Sequence, residues 1–328
     1  MRFVLALWVI LHHLTGNGMM LDAWARSLPA AVYSLIRGGY VAVGTFFVLS
    51  GFVLARNYAA GEWNRQRLWR YSVARAARIY PVYALSLAIV LPFILAGQAP
   101  HKAELFARHA LLLQGWGPLH VGWNTPAWSL SCEAFFYLCF PLAAVFFYQT
   151  SWRRVVPLAF GACLLRAALL AAGVPDAVKP LIHFSDFLLG IVTASAFELL
   201  ARRRTRIAGP WLYLPGLVGS AMLIAWPNLL GGVTDLNNAL RPLNAITLLG
   251  LALGGGIVAR LLSTRVIVYL GKASYAMYIL HIPILWWYAR WLPAASAPVY
   301  VACVILISAA VYRLLEEPAN RGIRKWAG

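Results

Sequence analysis

Ten apolar runs recur along the chain of 328 residues, and each has about the length of a membrane-crossing helix. Such a helix needs about 20 residues to cross a hydrocarbon core roughly 30 Å thick. Charged residues make up only 12% of the chain, against about 25% in soluble domains. We therefore expect an all-α integral membrane protein of about ten transmembrane helices that forms a single domain over residues 1–328. The predicted spans are residues 3–21, 38–56, 79–97, 126–148, 155–173, 182–200, 211–227, 242–262, 273–292 and 297–315.

The positions of the basic residues predict the topology of these spans. With the N-terminus in the cytoplasm, 20 of the 28 Lys and Arg residues fall on the cytoplasmic side and seven on the other side. The remaining one, Arg166, lies within a span. Loops rich in Lys and Arg stay in the cytoplasm, so both termini are predicted there, and the protein is expected to cross a bacterial cytoplasmic (inner) membrane many times.

The net charge of +18 has the same explanation. Basic residues fall in short blocks between apolar runs, which favours anchoring to membrane lipids over binding to nucleic acid. The four cysteines lie inside apolar segments and lack metal-ligand spacing. We therefore predict no metal site and no disulfide framework.

The first apolar run, "RFVLALWVILHHL", carries Arg2 at its start and the adjacent His12 and His13 near its end. No clear cleavage site follows it, so we expect a retained first helix. At about 100° per residue, His13 lies within roughly 20° of the Arg2 face and about 16–17 Å along the axis, near mid-bilayer. A titratable group at that depth indicates function, and geometry favours His13 over His12. A structural hydrogen bond to a neighbouring helix is the alternative.

A second polar group lies in "NTPAWSLSCEAFFYLCFP", where Pro126 suits the first turn of a helix. Glu133 then lies about 10 Å into the membrane from the outer side. An unpaired carboxylate is costly there, so we expect it to meet a base, a cation or a water-filled cavity, with His13 as the candidate partner. Ser129 and Ser131 flank it as potential donors. A structural contact with an arginine or a hydroxyl is the alternative.

A third group is basic. In "RQRLWRYSVARAARIYPVY", Arg75 and Arg78 are three residues apart on one helix face, just before the chain enters the membrane. Two guanidinium groups that face one way suit phosphate groups, which arginine binds bidentately. Anchoring to lipid headgroups is an equally good interpretation of the spacing.

Two further segments have small or polar residues within apolar spans. In "GTFFVLSGFVLA", Ser50 and Gly51 let a backbone or a ligand approach closely, and ordinary helix packing is the alternative. In "KASYAMYILHIPI", Ser274, Tyr278 and His281 share one helix face, as catalytic groups or as a structural hydrogen-bond network.

Other polar and aromatic residues are less specific. His183 and Asp186 lie near the outer end of a span, and these two and Arg166 are expected to line a cavity or to pair internally. Three tryptophans cluster near the outer surface, either as sugar-stacking residues or as an aromatic belt. They are Trp116, Trp123 and Trp128.

Five stretches occur in the order of the motifs of acyltransferase family 3. They are "RFVLALWVILHH", "GTFFVLSGFVLA", "RAARIYPVY", "NTPAWSLSCEAFFYL" and "KASYAMYILHIPI". The chain resembles this family from about residue 2 to "EEPANR" near residue 321. Its members are polytopic membrane O-acyltransferases that modify cell-surface polysaccharides and related acceptors.

The resemblance implies ten spans, cytoplasmic termini and an acyl-CoA donor, usually acetyl-CoA, with no permanently bound cofactor. It implies that Arg2 and His13 are the essential arginine and histidine of helix one. It places Arg75 and Arg78 on the donor's phosphates, and we predict Ser50 near them. The family's motif glutamate corresponds to Glu133. Many members have a second acid after it, whereas this chain has Ala134, which puts any scheme with two carboxylates in doubt.

The resemblance implies transfer of an acyl group to a sugar hydroxyl of a cell-surface or lipid-linked polysaccharide, so the partners are acyl-CoA, a carbohydrate or glycolipid acceptor and membrane lipids. His13 is the predicted general base, oriented by Glu133. Direct transfer and an acyl-histidine intermediate both stay open. The predicted substrate-binding residues are Asn124, Trp128, Ser129, Ser131, Tyr278 and His281.

Two other functions also stay open. One is an acyltransferase that acts on a small hydrophobic metabolite such as a macrolide. The other is a transporter of a lipid-linked sugar, since ten spans with buried ionisable residues also fit that class. Consumption of acyl-CoA by the purified protein distinguishes the transporter from both enzymes.

Overall fold

The computed structural model describes residues 1–97, 101–117, 123–202, 209–227, 233–292 and 296–326, and in these ranges it contains helices and no strand. The basic residues Arg203, Arg204 and Arg206, which entered the topology prediction, lie outside them. The helices are α1 (Arg2–Leu14), α2 (Asp22–Arg26), α3 (Ala30–Arg37), α4 (Ala42–Tyr58), α5 (Arg65–Ala96), α6 (Lys102–Ala110), α7 (Trp128–Phe147), α8 (Trp152–Ala171), α9 (Lys179–Arg202), α10 (Pro210–Ala225), α11 (Val233–Leu253), α12 (Gly256–Leu262), α13 (Arg265–Trp291), α14 (Ala297–Val311) and α15 (Glu317–Trp326).

Every predicted span overlaps one or two helices, and the described residues contain no strand, which confirms the all-α class. Among the described residues, six helical segments are long and apolar enough to cross a membrane. Ten spans therefore stay a prediction. The six segments are Ala30–Tyr58, Arg65–Ala96, Thr125–Phe147, Trp152–Ala171, Lys179–Arg202 and Ala297–Trp326.

Two predicted spans differ from the structure. The first, predicted over 3–21, ends at Leu14, and Thr15 turns its hydroxyl back onto the Leu11 carbonyl. The eighth, predicted as one helix over 242–262, is broken between α11 and α12, whose axes differ by 80°. Gly254, Gly255 and Gly256 all have positive φ at this break. Glycine adopts that conformation at no steric cost, and the hydropathy pattern does not register it.

The centre of the fold is the contact between α4 and α9. A Cβ on Gly51 would overlap the Phe187 carbonyl oxygen, and a Cβ on Gly190 would overlap the Val48 carbonyl oxygen. The two backbones are therefore in direct contact, as the small residues of α4 predicted. Four buried phenylalanines pack beside this contact and extend the core to α7. They are Phe47, Phe136, Phe140 and Phe187.

Contacts near the helix ends join neighbouring segments at both ends of the helix bundle. At one end, an ion pair joins Arg56 at the end of α4 to Glu198 near the end of α9. At the other end, the Lys179 amide donates to the Gly115 carbonyl at 3.1 Å.

Candidate active site

The two histidines predicted near mid-membrane on different helices lie against each other. His13 on α1 and His281 on α13 have ring centroids 5.0 Å apart, and His281 Nε2 is 3.3 Å from His13 Nδ1. His281 is 1% exposed, while His13 is only partly buried. The more accessible ring is therefore the one that sequence periodicity favoured.

Hydrogen bonds to the backbone define the tautomers of this pair. His13 Nδ1–H donates to the Val9 carbonyl at 2.9 Å, and His281 Nδ1–H donates to the Tyr278 carbonyl at 2.7 Å. A carbonyl oxygen only accepts, so both Nδ1 atoms carry the proton in the neutral rings. His281 Nε2 is then a second, longer acceptor for the His13 Nδ1–H that bonds to Val9, and the lone pair of His13 lies on Nε2.

His12 makes a different contact. Its Nδ1–H donates to the Arg37 carbonyl at 2.5 Å, and Arg37 in turn donates to the Thr15 carbonyl at 3.0 Å. These bonds connect the end of α1 to the end of α3. His12 therefore has a structural partner on the short helices that follow α1.

A chain of cavities begins at the arginine end of α1. The first, the entrance cavity, has a volume of about 620 Å³ and is lined by Arg2, Arg78 and Lys272, among others. It adjoins a smaller arginine cavity of about 60 Å³. The residues of this second cavity include Arg2, Ser50, Arg75, Arg78, Glu133 and Tyr137. Ser50 thus lies with the arginine pair, where it was predicted.

The two arginines of the pair have different surroundings. Arg78 forms an ion pair with Glu316, which is 1% exposed, and lies 4.8 Å from the Tyr275 ring centroid. Arg75 donates to the Tyr58 hydroxyl at 3.2 Å. Among the described residues, the buried Nε atoms of Arg75 and Arg2 have no hydrogen-bond partner. The cavity therefore contains unused donors.

Glu133 does not pair with His13, which corrects the predicted contact. Its Oε2 accepts from the Tyr137 hydroxyl at 3.0 Å, and the residue lines cavities that also contain Arg2. The depth estimate placed Glu133 close to His13, but its carboxylate shares a cavity with Arg2, Arg75 and Arg78 instead. Two carboxylates, Glu133 and Glu316, thus face three guanidinium groups.

A central cavity of about 30 Å³ has Tyr278, which precedes His281 by three residues, in its lining. It is lined by Arg2 and Glu133 on one side and by Ser129 and Tyr278 on another. Tyr278 is on the turn before His281, with ring centroids 6.1 Å apart. Both hydroxyls donate to the Pro126 carbonyl, at 3.0 Å from Ser129 and 3.2 Å from Tyr278.

A polar cavity of about 250 Å³ lies beyond the central one, and Val43 lines both. Its charged residues are Arg166, Asp176, Lys179, Asp186 and Arg241. Phe47 is at the boundary, with its ring 6.1 Å from that of Trp128 and 5.2 Å from that of His183. The four cavities thus extend from the arginine end to the opposite end of the bundle.

Three predicted substrate-binding residues of the α7 motif differ in their contacts. Trp128 lines the polar cavity. Asn124 is buried and donates to the Ile279 carbonyl at 2.8 Å, which connects the start of α7 to α13. Ser131 lines none of the four cavities, because its hydroxyl accepts from the Gly115 amide at 3.0 Å. The structure therefore gives Asn124 and Ser131 structural contacts.

Comparison with known proteins gives a single family. The family model described as an acyltransferase domain, of acyltransferase family 3, matches residues 1–313. The chain belongs to acyltransferase family 3. It is therefore an enzyme of this group of membrane O-acyltransferases, as its five motifs predicted.

Three relatives extend this finding. Acyltransferase MdmB of Streptomyces mycarofaciens is 29% identical over 98% of this chain and 90% of the relative. Exopolysaccharide production protein ExoZ of Rhizobium meliloti is 29% identical over 86% of this chain and 90% of the relative. O-acetyltransferase OatA of Staphylococcus aureus is 23% identical over 87% of this chain, which spans about half of that relative, 53%. No solved structure matches the chain.

Two features of the acyltransferase were missed by sequence reasoning. Glu316, the counter-ion of Arg78, follows the last apolar run in "EEPANR", and a carboxylate at that position was a usable signal. The pair between Arg241 and Asp186, at 2.7 Å, joins α11 to α9. Arg241 was counted as an outer-loop residue, although it is 2% exposed within the protein.

Proposed function

We propose that the enzyme transfers an acyl group, usually acetyl, from acyl-CoA to a sugar hydroxyl of a cell-surface or lipid-linked polysaccharide. The observation that carries this proposal is the His13–His281 pair, whose His281 ring lies 6.1 Å from the ring of Tyr278, a residue that lines the central cavity. A cavity rich in arginine lies on one side of that cavity, and the polar cavity lies on the other.

The donor binds at the arginine end. Three guanidinium groups face two carboxylates there, and Lys272 lines the entrance cavity, so the region attracts the phosphates of a nucleotide. The entrance cavity and the arginine cavity share Arg2 and Arg78. This continuity gives the long pantetheine arm a route toward the central cavity.

His13 acts as the general base through Nε2. The acceptor hydroxyl oxygen attacks the thioester carbonyl carbon while its proton moves to His13 Nε2. The carbon–sulfur bond then breaks, and the thiolate takes the proton from His13 to leave as free CoA. His13 Nδ1–H is shared between the Val9 carbonyl and His281 Nε2, and both acceptors stabilise the imidazolium that forms between the two proton transfers.

The oxyanion donors are on α7 or α13. Ser129 and Tyr278 line the central cavity, but both hydroxyls donate to the Pro126 carbonyl. Either hydroxyl must turn away from that carbonyl before it donates to an oxyanion. An acyl-histidine intermediate on His13 is the alternative route, and trapping of a labelled acyl-protein by rapid quench distinguishes the two.

The acceptor arrives from the side of the polar cavity. The name of one relative, an exopolysaccharide production protein, supports a polysaccharide acceptor. An acceptor that is a small hydrophobic metabolite remains the second candidate within the same enzyme class. The excess of basic residues on one set of loops supports a bacterial inner-membrane enzyme with ten spans and both termini in the cytoplasm.

The test uses purified protein in lipid nanodiscs with acetyl-CoA and a lipid-linked oligosaccharide. We expect release of free CoA thiol that depends on the acceptor, with a new ester on the oligosaccharide. Intact acetyl-CoA after incubation with folded protein, together with movement of the oligosaccharide across vesicles, would support a transporter and contradict the proposal.

A further inference from the structure

The polar cavity contains an arginine with two unused ends. Arg241 is 2% exposed, and its Nε donates to Asp186 Oδ1 at 2.7 Å. Its Nη1 and Nη2 atoms are buried and have no hydrogen-bond partner among the described residues. Arg241 lines the polar cavity of about 250 Å³. That volume corresponds to about eight water molecules at about 30 Å³ each.

Asp186 does not bond to these two nitrogens. Its Oδ1 accepts from Arg241 Nε, and its Oδ2 accepts from His183 Nδ1–H at 2.9 Å. A fork of free guanidinium donors in a buried place is costly unless an acceptor binds there. Carboxylate and phosphate groups match the geometry of such a fork.

The other charges of the cavity also favour an anion. Arg166 is 4% exposed and donates to Asp176 at 3.1 Å, and Lys179 donates to Asp176 at 2.5 Å. Burial raises the pKa of Asp176, but Lys179 and Arg166 outweigh it and hold the pKa below its ordinary value, so the carboxylate stays ionised. With His183 taken as neutral, three cations face two carboxylates, and the net charge of the cavity is positive.

We propose that the polar cavity binds an oxyanion of the acceptor, a carboxylate or a phosphate, on the fork of Arg241. This inference rests on the proposed function and narrows its acceptor to an acidic glycan or glycolipid. The polar and central cavities share Val43. The anionic group of one unit is anchored here, while a neighbouring hydroxyl reaches the central cavity.

The test measures binding without acyl-CoA, by calorimetry on the full chain in nanodiscs at fixed salt. The probes are methyl glucuronide, glucose 1-phosphate and the neutral methyl glucoside. We expect at least one charged probe to bind about tenfold tighter than methyl glucoside, the preference that a charge-assisted hydrogen bond gives. The charged probe that binds tighter identifies the carboxylate or the phosphate as the recognised group.

Arg241→Lys keeps a cation for Asp186 but removes the fork, so we expect it to lose the preference. Arg290→Lys, the same change at an exposed arginine, should keep it. If Arg241→Lys does not fold, the comparison of the three probes on the unmodified protein still tests whether the protein prefers an anion. Equal binding of all three probes, or no binding of either charged probe, would overturn the inference. If a charged probe binds but acetyl-CoA is never consumed, the proposed function fails and the anion site stands.

Discussion

His281 Nε2 lies 3.3 Å from His13 Nδ1, although the two residues are 268 positions apart in sequence. Because His281 Nδ1–H donates to a carbonyl, its Nε2 accepts a hydrogen bond. An imidazolium on His13 thus finds an acceptor already in place. The pair resembles the arrangement of a base and its orienting group, with a neutral imidazole in place of a carboxylate.

Replacement of His281 by Gln should lower kcat by about 10- to 100-fold with little change in KM for acyl-CoA, because a hydrogen bond to the charged form of His13 weakens. Steady-state kinetics of CoA release measures both parameters. The matched control is His109→Gln, because His109 is a buried histidine that contacts Tyr83 away from the four cavities. The kcat of this variant should equal that of the unmodified enzyme. An equal loss in both variants would indicate a structural role for His281.

Arg75→Lys and Arg78→Lys should each raise KM for acetyl-CoA, because lysine keeps the charge but loses bidentate contact with phosphate. The effect should be much smaller with acetyl-pantetheine, a thioester that lacks the phosphates. Arg70→Lys, at an exposed position on the same helix, is the control. If both thioesters lose activity equally, the arginine pair does not recognise phosphate.

Sequence reasoning predicted the helices and the residues of the site better than their pairings. Apolar runs, motif order and the shared face of Arg2 and His13 depend on local spacing, which the sequence contains. Glu133 accepts from Tyr137 on its own helix and lines a cavity with the arginines, an outcome of how α1, α5 and α7 pack that depth alone did not predict. The sequence also did not predict the buried position of Arg241, because the count of basic residues assigned it to an outer loop.

The contact between α4 and α9 predicts a stability effect. Gly51→Ala and Gly190→Ala each add a methyl group onto a carbonyl oxygen of the other helix. We expect each to destabilise the fold by about 1–3 kcal/mol, as overpacking does. Thermal unfolding in detergent should show a lower midpoint. Gly161→Ala is the control, since no atom lies within 4 Å of its added Cβ, and a midpoint as low as that of the other two would contradict this account.

The most direct test of the central claim compares the His13→Ala and His12→Ala variants. The rate of CoA release from acetyl-CoA is measured for each folded variant with the acceptor present. His13 Nε2 carries the lone pair of its ring, whereas the His12 ring donates to the Arg37 carbonyl. We expect His13→Ala to lose at least about 100-fold in kcat, the contribution of a general base, while His12→Ala keeps most of its activity. Full activity in His13→Ala, or a larger loss in His12→Ala, would contradict the assignment of His13 as the base.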